Sequence, residues 1–440
     1  MWVSLELLRN GFAVGLAMLL GIGILICGYM LGISSMAIAC ILFATIAVVA
    51  PPRYLVSPLS IIHGYYFVWF LLAPAFSELH SEDNFSSGIH YLAYGMIFLT
   101  YATAVFGARR GERAAAWMRP ATLSQAASNR GHDSALRLTT VFLYIVSTAL
   151  IVMIVLASGG FAHWIEAPGD AFLNRQGSGV YVVLSHFAIF CLAALVGYHA
   201  YTARRITPLI VFLAWLAITS PVHGSKGLIS LFLILSLTPW LRNMKFMGSA
   251  SVVFVATLVF IFFFGLYLRN ISWITPEEAI PYALNYFTTL RNLIILIQDF
   301  QPDFLLTFFL PFNKFLTPLG LTDSSLYFDM NHMLTDKYFP TAWEIRATEQ
   351  WPVETDLYLN FYFFFGLPLV FLYTYTVGLI YGRARVANNL GTWIVAMLLI
   401  VSIISHLRGS IYNHLDFYLY PMFYMIYTLL KHRSFNDRAY

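Results

Sequence analysis

The sequence predicts an all-α, polytopic integral membrane protein with about 12 transmembrane helices and one long, partly helical outer loop. Of its 440 residues, 59% are hydrophobic and only 10% are charged, whereas soluble domains carry about 25% charged residues. So few charged side chains cannot cover a soluble protein of this length. Many apolar runs also approach the ~20 residues that cross a bilayer as a helix. These observations exclude a soluble multidomain enzyme and a disordered chain.

Twelve apolar runs, bounded by charged or turn-forming residues, are predicted to span the membrane. They cover residues 12–31, 33–50, 58–76, 90–108, 138–157, 179–201, 206–221, 227–241, 250–268, 357–382, 392–407 and 412–430. The first run follows Arg9 and is too long for a signal peptide, so we expect it to be retained as a span. The whole chain, residues 1–440, is predicted to form a single transmembrane domain.

The distribution of charge predicts the orientation, with both termini in the cytoplasm. The inner segments hold 17 of the 25 basic residues. They hold only four of the 21 acidic residues, and this second count is independent of the choice of orientation. The longest outer segment, residues 269–356, is rich in aromatic residues and is therefore predicted to be folded. Apolar residues at helical spacing, with Pro281 in the first turn, predict an amphipathic helix on the membrane surface. These apolar residues are Ile280, Leu284, Phe287, Leu290, Ile294 and Ile297.

Four basic residues near the predicted outer face oppose this orientation: Lys226, Arg269, Arg291 and Arg408. A bound anion would explain them, because Arg offers a planar fork to phosphate and Lys a point charge. Gly224 and Gly227 would let backbone N–H groups approach the same anion at the start of a helix. The pattern predicts a phosphate or pyrophosphate site. Contact with lipid headgroups, or a pair between Arg291 and Asp299, is the alternative.

Acidic and histidine side chains form a second group of candidates. Glu354 and Asp356 precede the tenth predicted span, and His332 lies in the long loop. Each could serve as a general base for a hydroxyl group, and the alternative is that the acids are solvated or paired with the cations. Trp343 and Trp351 offer faces on which sugars could stack. The sequence lacks a P-loop, a zinc motif and metal-type Cys/His spacing, so no metal or cofactor is expected. The small net charge of +4 gives no indication of nucleic acid.

Three short motifs carry a family resemblance. Gly224-Ser225-Lys226-Gly227 opens a span, and Arg408-Gly409-Ser410 lies between the last two spans. Between them in the sequence, Glu354-Thr355-Asp356-Leu357-Tyr358-Leu359-Asn360-Phe361 runs into Phe365-Gly366 after the long outer loop. In this order, with about 12 spans and one large outer loop, the chain resembles the bacterial oligosaccharide repeat-unit polymerases, the Wzy-type O-antigen polymerases. Lys226 stands where that family commonly carries an arginine.

The resemblance implies a glycosyltransferase of the bacterial inner membrane whose long loop is periplasmic. Donor and acceptor would be undecaprenyl-pyrophosphate-linked oligosaccharides, and undecaprenyl pyrophosphate would leave. No metal or cofactor is implied, and membrane lipids and a polysaccharide chain-length regulator would be partners. Lys226, Arg291 and Arg408, with Arg269 as a weaker candidate, would bind the pyrophosphate. Glu354, then His332, then Asp356 would be the base.

Three other functions remain open from the sequence. An O-antigen ligase would use the same donor and cations with another acceptor. A lipid-linked oligosaccharide flippase or other transporter would bury charges at mid-membrane, whereas the charges here gather at the outer ends of the spans. A partner protein without catalysis, within a glycan assembly complex, is the third alternative.

Overall fold

The computed structural model confirms the all-α class, because every regular element in the part of the chain that it describes is a helix. It describes residues 2–76, 85–117, 131–166, 171, 179–223, 226–269, 275, 278–285, 287–317, 320–321, 327–344, 349–412, 424–431 and 433. The helices used below are α1 (Trp2–Met30), α2 (Ser35–Val49), α3 (Pro58–Phe76), α4 (Ser87–Trp117), α5 (Gly131–Ala157), α6 (Gly160–Glu166), α7 (Gly179–Ala203), α8 (Thr207–His223), α9 (Lys226–Leu241), α10 (Ser249–Arg269), α11 (Ala279–Asn285), α12 (Thr289–Asp299), α13 (Asn313–Leu316), α14 (Met330–Tyr338), α15 (Pro340–Glu344), α16 (Val353–Phe361), α17 (Leu367–Ala387) and α18 (Leu390–Leu407).

Within the described residues, six helices are long and apolar enough to cross a membrane. They are Pro58–Phe76, Ser87–Ala116, Leu136–Ala157, Val180–Ala203, Phe364–Ala387 and Leu390–Leu407. Shorter apolar helices lie where further spans are predicted, at Met18–Met30, Ser35–Val49, Thr207–His223, Leu228–Leu241 and Ser249–Phe260. The twelfth predicted span, 412–430, falls largely outside the described residues. The helices support a membrane protein, and the count of twelve, the orientation and the outer loop stay predictions.

The tenth predicted span, 357–382, is divided in the structure. Helix α16 ends at Phe361, and Tyr362 and Phe363 follow with φ angles of 45° and 64°. Left-handed φ values are unfavourable for side chains with a Cβ, and two in succession stop a helix. The candidate span begins only at Phe364. The residue types do not predict this break, because every residue from Leu357 to Phe365 except Asn360 is apolar or aromatic.

The amphipathic helix predicted in the long loop is also divided, and its apolar face packs on protein. Helix α11 contains Pro281 in its first turn, and α12 begins at Thr289 after an interruption. Leu290 and Ile294 of α12 are completely buried. The ring of Phe287 lies 4.5 Å from that of Trp69 in α3, measured between centroids. The buried face corrects the expectation that this helix lies on the membrane surface.

Packing divides the chain into two compact units. The first contains residues 1–115, 245–382 and 402–419, and the second contains 116–244, 383–401 and 420–440. In the first unit, α4 and α17 approach closely through two pairs of glycines spaced four residues apart. A Cβ on any of these glycines would overlap atoms of the facing helix, mostly backbone, at Gly107, Gly111, Gly378 and Gly382. Small residues at this spacing let membrane helices pack backbone to backbone.

Helix α7 packs against α5, α8 and α9 in the second unit. The guanidinium of Arg242, which follows α9, is buried and donates hydrogen bonds to Asn388 Oδ1 and to the Pro239 carbonyl. Arg385 donates in turn to the carbonyl of Arg242, at 3.2 Å. A buried arginine is tolerated when its donors are satisfied in this way.

Candidate functional site

The predicted acidic residues lie in α16, which is buried along nearly its whole length. Pro352 precedes the helix, and Glu354 and Asp356 occupy its first turn. Acidic side chains at this end of a helix are favoured by the helix dipole. Both are almost completely removed from solvent, with exposed fractions of 0% and 1%. The structure therefore places them inside the first unit, and the interpretation that they are solvated is wrong.

The carboxyl group of Glu354 contacts α3. Its Oε1 accepts a hydrogen bond of 3.1 Å from the hydroxyl of Tyr66, and the hydroxyl of Thr100 in α4 also lies close enough to favour the charged carboxyl. Burial raises the pKa of this carboxyl to about 8, against a smaller lowering by hydrogen bonds to its charged form. Glu354 is therefore largely protonated at neutral pH and can donate a hydrogen bond as well as accept one.

Asp356 belongs to a separate polar cluster. Its Oδ1 accepts hydrogen bonds from Asn360 Nδ2, at 2.8 Å, and from the Tyr412 hydroxyl, at 2.5 Å. Burial raises the pKa of Asp356 to about 7. The amide of Asn360 also bonds Thr307, whose backbone N–H donates to Asn360 Oδ1 at 2.7 Å. The cluster thus joins α16 to two other parts of the first unit.

Arg408 follows the last residue of α18. Its backbone N–H completes that helix by donating to the carbonyl of Ile404, and Tyr65 donates to the carbonyl of Leu407 at 2.6 Å. Arg408 is exposed by surface area, although enough protein surrounds its guanidinium for desolvation to lower its pKa. Arginine nevertheless stays protonated at neutral pH. Within the described residues, this guanidinium makes no ion pair and no hydrogen bond.

Tyr65 connects the predicted acid with the predicted cation. It is close enough to both Glu354 and Arg408 for each charge to act on its hydroxyl. Its ring is 5.2 Å from that of Tyr66, the residue that binds Glu354. Two residues remote in sequence, Glu354 and Arg408, therefore both lie near Tyr65, and no ion pair joins them.

Arg291 lies in α12, where its charge acts on the carboxyl of Glu349 and opposes the rise in pKa that burial causes there. The next residue, Asn292, donates to the carbonyl of Gln350 at 2.8 Å. The side chain of Gln350 in turn accepts from Trp69 Nε1, at 3.3 Å. Arg291 is thus held beside the segment that leads into α16, near an acid that the sequence analysis did not assign to it.

His332 lies in the first turn of α14. Asp329 caps this helix by accepting the backbone N–H of His332 at 2.9 Å, and His332 Nδ1 lies 3.9 Å from the same Oδ1. The side chain of His332 is 22% exposed. Its ring lies 5.1 Å from that of Trp343, whereas Trp351 is completely buried and cannot stack on a sugar in this structure.

The other two predicted cations lie at the ends of helices. Lys226 begins α9 in the second unit, with Gly227 as its second residue, and Arg269 ends α10 in the first unit. Gly224 lies outside the described residues. That these residues bind pyrophosphate stays a prediction.

The sequence analysis assigned no role to Tyr65, Tyr66, Asn360 and Tyr412, which provide most of the contacts to the acids. Asn360 could have been found, because it stands four residues after Asp356 and so shares its face of a helix. The tyrosines gave no comparable signal, since aromatic residues are common throughout the spans.

Comparison with protein-family models, with curated proteins and with solved structures found no match to this chain.

Proposed function

We propose that this chain is a membrane glycosyltransferase that polymerises undecaprenyl-pyrophosphate-linked oligosaccharide repeat units, as its resemblance to the Wzy-type polymerases implies. The proposal includes twelve spans in the bacterial inner membrane, with both termini in the cytoplasm and residues 269–356 on the periplasmic face. A polysaccharide chain-length regulator is the proposed protein partner, and membrane lipids surround the spans.

The observation that carries the proposal is the accessible cation at Arg408. Arg408 is exposed by surface area at the end of a candidate span, and it has no ion-pair partner within the described residues. A charge in that position suits the pyrophosphate of a lipid-linked sugar, which lies at the level of the headgroups. Arg291, held beside Glu349, is a second cation of the same unit.

The proposed reaction forms one bond and breaks one. The hydroxyl oxygen of the acceptor sugar attacks C1 of the donor, the bond between C1 and the phosphate oxygen breaks, and the hydroxyl proton passes to a base. Negative charge grows on the departing pyrophosphate, where a fixed guanidinium stabilises the transition state. Removing one such donor typically lowers the rate about 10²–10³-fold.

The accessible candidate for the base is His332. Its ring is partly exposed and Asp329 lies beside Nδ1, an arrangement that can orient an imidazole. Glu354 and Asp356 would need a change of conformation before a sugar hydroxyl could reach them, because both are buried. Their support for the reaction is therefore indirect, and for Glu354 it passes through Tyr65, which lies near Arg408.

The test is a reconstituted assay with synthetic lipid-linked repeat units in proteoliposomes. The wild-type protein should produce a ladder of products, Arg408→Ala should lose about 10²–10³-fold in rate, and Arg408→Lys should retain part of the activity. Arg383→Ala, which removes another exposed arginine, is the matched control. His332→Gln should also slow polymerisation. A normal ladder from Arg408→Ala would refute the proposed site.

Transport is the second candidate, and the buried acids favour it. Carboxyl groups with pKa values near neutrality inside a membrane protein are typical of proton relays. In the same proteoliposomes, movement of lipid-linked oligosaccharide across the bilayer without a new glycosidic bond would indicate a transporter. Transfer of the glycan to a different acceptor would instead indicate a ligase.

A further inference from the structure

An exposed apolar patch lies beside the start of the candidate span Phe364–Ala387. It consists of side chains from two segments, with exposed fractions from 43% to 71%: Phe304, Leu306, Phe309, Phe312, Tyr362, Phe364 and Phe365. We name these seven residues the aromatic patch. Exposed apolar side chains that occur singly need no explanation, but a contiguous group marks a surface that contacts something other than water.

The two segments of the aromatic patch are fixed to each other. The backbone N–H of Leu305 donates to the Asn360 carbonyl at 3.0 Å, and that of Tyr362 donates to the Asp303 carbonyl at 3.0 Å. The rings of Phe304 and Tyr362 stack with an interplanar angle of 10°. The segment from Phe304 to Phe312 is therefore held at the same level as the first residues of the span.

The inward side of the same segment is anchored in the protein interior. Thr307 is buried and bonds Asn360, and the ring of Phe308 lies 4.8 Å from that of Tyr412. With these two residues pointing inward, Leu306 and Phe309 point outward. The exposure of the patch thus follows from a specific backbone conformation, which includes Leu305 at a φ of 58°.

We propose that the aromatic patch inserts into the lipid bilayer at the boundary between headgroups and acyl chains. The segment from Phe304 to Phe312 contains no charged residue, and it is bounded by Asp303 and Lys314. Phe364 and Phe365 belong to the candidate span itself, so the patch continues the lipid-facing surface of that helix. Aromatic residues are enriched at this depth of a membrane. The surface that lies on the membrane is then residues 304–312, and not the α12 region that the sequence pattern indicated.

The test uses a nitroxide spin label at position 309 in full-length protein. Cys27, Cys40 and Cys191 are first replaced by serine, and Phe309→Cys is labelled and reconstituted in vesicles of phosphatidylethanolamine and phosphatidylglycerol. Collision rates with oxygen, which concentrates in lipid, and with a water-soluble nickel chelate then report the surroundings of the label. We expect oxygen collisions to dominate at position 309, and nickel collisions to dominate for the control Glu344→Cys, which is exposed in α15.

Two further labels keep the test decisive if one variant fails to fold. Phe312→Cys should behave like Phe309→Cys, whereas a label at the inward-facing Phe308 should be poorly accessible to both reagents. Dominant nickel collisions at positions 309 and 312 would place the patch in water. Low collision rates with both reagents there would mean that protein, such as a second copy of this chain, covers it. Either result would overturn the proposal, and neither depends on glycosyltransferase activity.

Discussion

Replacing Glu354 by glutamine should weaken the pH dependence of folding stability. Glutamine is nearly isosteric with a protonated glutamic acid and keeps an oxygen that can accept the hydrogen bond from Tyr66. It cannot ionise. In the wild-type protein, the folded state holds a proton on Glu354 at pH values where the unfolded chain has already released it, because burial raises the pKa of the carboxyl to about 8 from 4.5.

The size of the effect follows from this difference in bound protons. Stability is greatest below the unfolded pKa and falls as pH rises towards the folded pKa, by about 1.4 kcal/mol per pH unit for each such group. The full shift of the Glu354 pKa corresponds to about 5 kcal/mol. The pKa of Asp356 rises to about 7 from 3.8, so this group lowers the free energy of unfolding with a similar slope over a range that begins and ends at lower pH. Between about pH 5 and 6.5, Glu354→Gln should therefore remove about half of the slope that the two acids produce together.

Equilibrium unfolding in mixed detergent micelles, followed over this pH range, measures the slope. Groups that titrate equally in both proteins cancel in the difference between wild type and variant. Glu344→Gln, at an exposed position in both the folded and the unfolded chain, is the matched control and should keep the wild-type slope. Equal slopes for wild type and Glu354→Gln would show that the carboxyl is ionised in the folded protein, and the description of the site would be wrong.

Three further changes test other contacts. Tyr66→Phe removes a hydrogen-bond donor that favours the charged carboxylate, so the pKa of Glu354 should rise. The loss of folding stability with rising pH should then extend to higher pH, and an unchanged pH dependence would contradict the contact. Asn360→Leu leaves buried partners unsatisfied and should lower the free energy of unfolding by about 1–3 kcal/mol. Gly111→Ala should destabilise the protein by about 1–3 kcal/mol in the same assay, because the new Cβ meets the backbone of α17. Gly95→Ala in the same helix meets only an ordinary contact and should be tolerated.

The sequence predicted the fold class because apolar composition and run length act over the whole chain. It failed at Tyr362 and Phe363, where the helix stops although the residue types favour its continuation. The backbone there is held by bonds to residues 303–306, which are far away in the sequence. Local preference cannot reveal a break that distant hydrogen bonds impose.

The site was predicted in part for the same reason. Acids next to a span and arginines against the orientation bias are local signals, and they made Glu354 and Arg408 candidates, whose roles stay predictions. Burial of the acids depends on which other helices cover α16, which composition does not show. The alternative that the acids pair with the cations does not hold for Glu354, whose hydrogen bond comes from Tyr66.

The tyrosine pair connects Glu354 to the end of the helix that precedes Arg408, and no ion pair joins these two residues. A direct ion pair would occupy the guanidinium and oppose the binding of an anion. Tyr66 instead supplies a neutral donor to the carboxyl, and Tyr65 bonds the backbone beside Arg408. Burial then keeps the acid protonated near neutral pH, so that little negative charge competes for the arginine. Under the proposed function, ionisation of Glu354 at high pH would weaken pyrophosphate binding, and the apparent affinity for the lipid-linked donor should fall above about pH 8 in the wild type but not in Glu354→Gln.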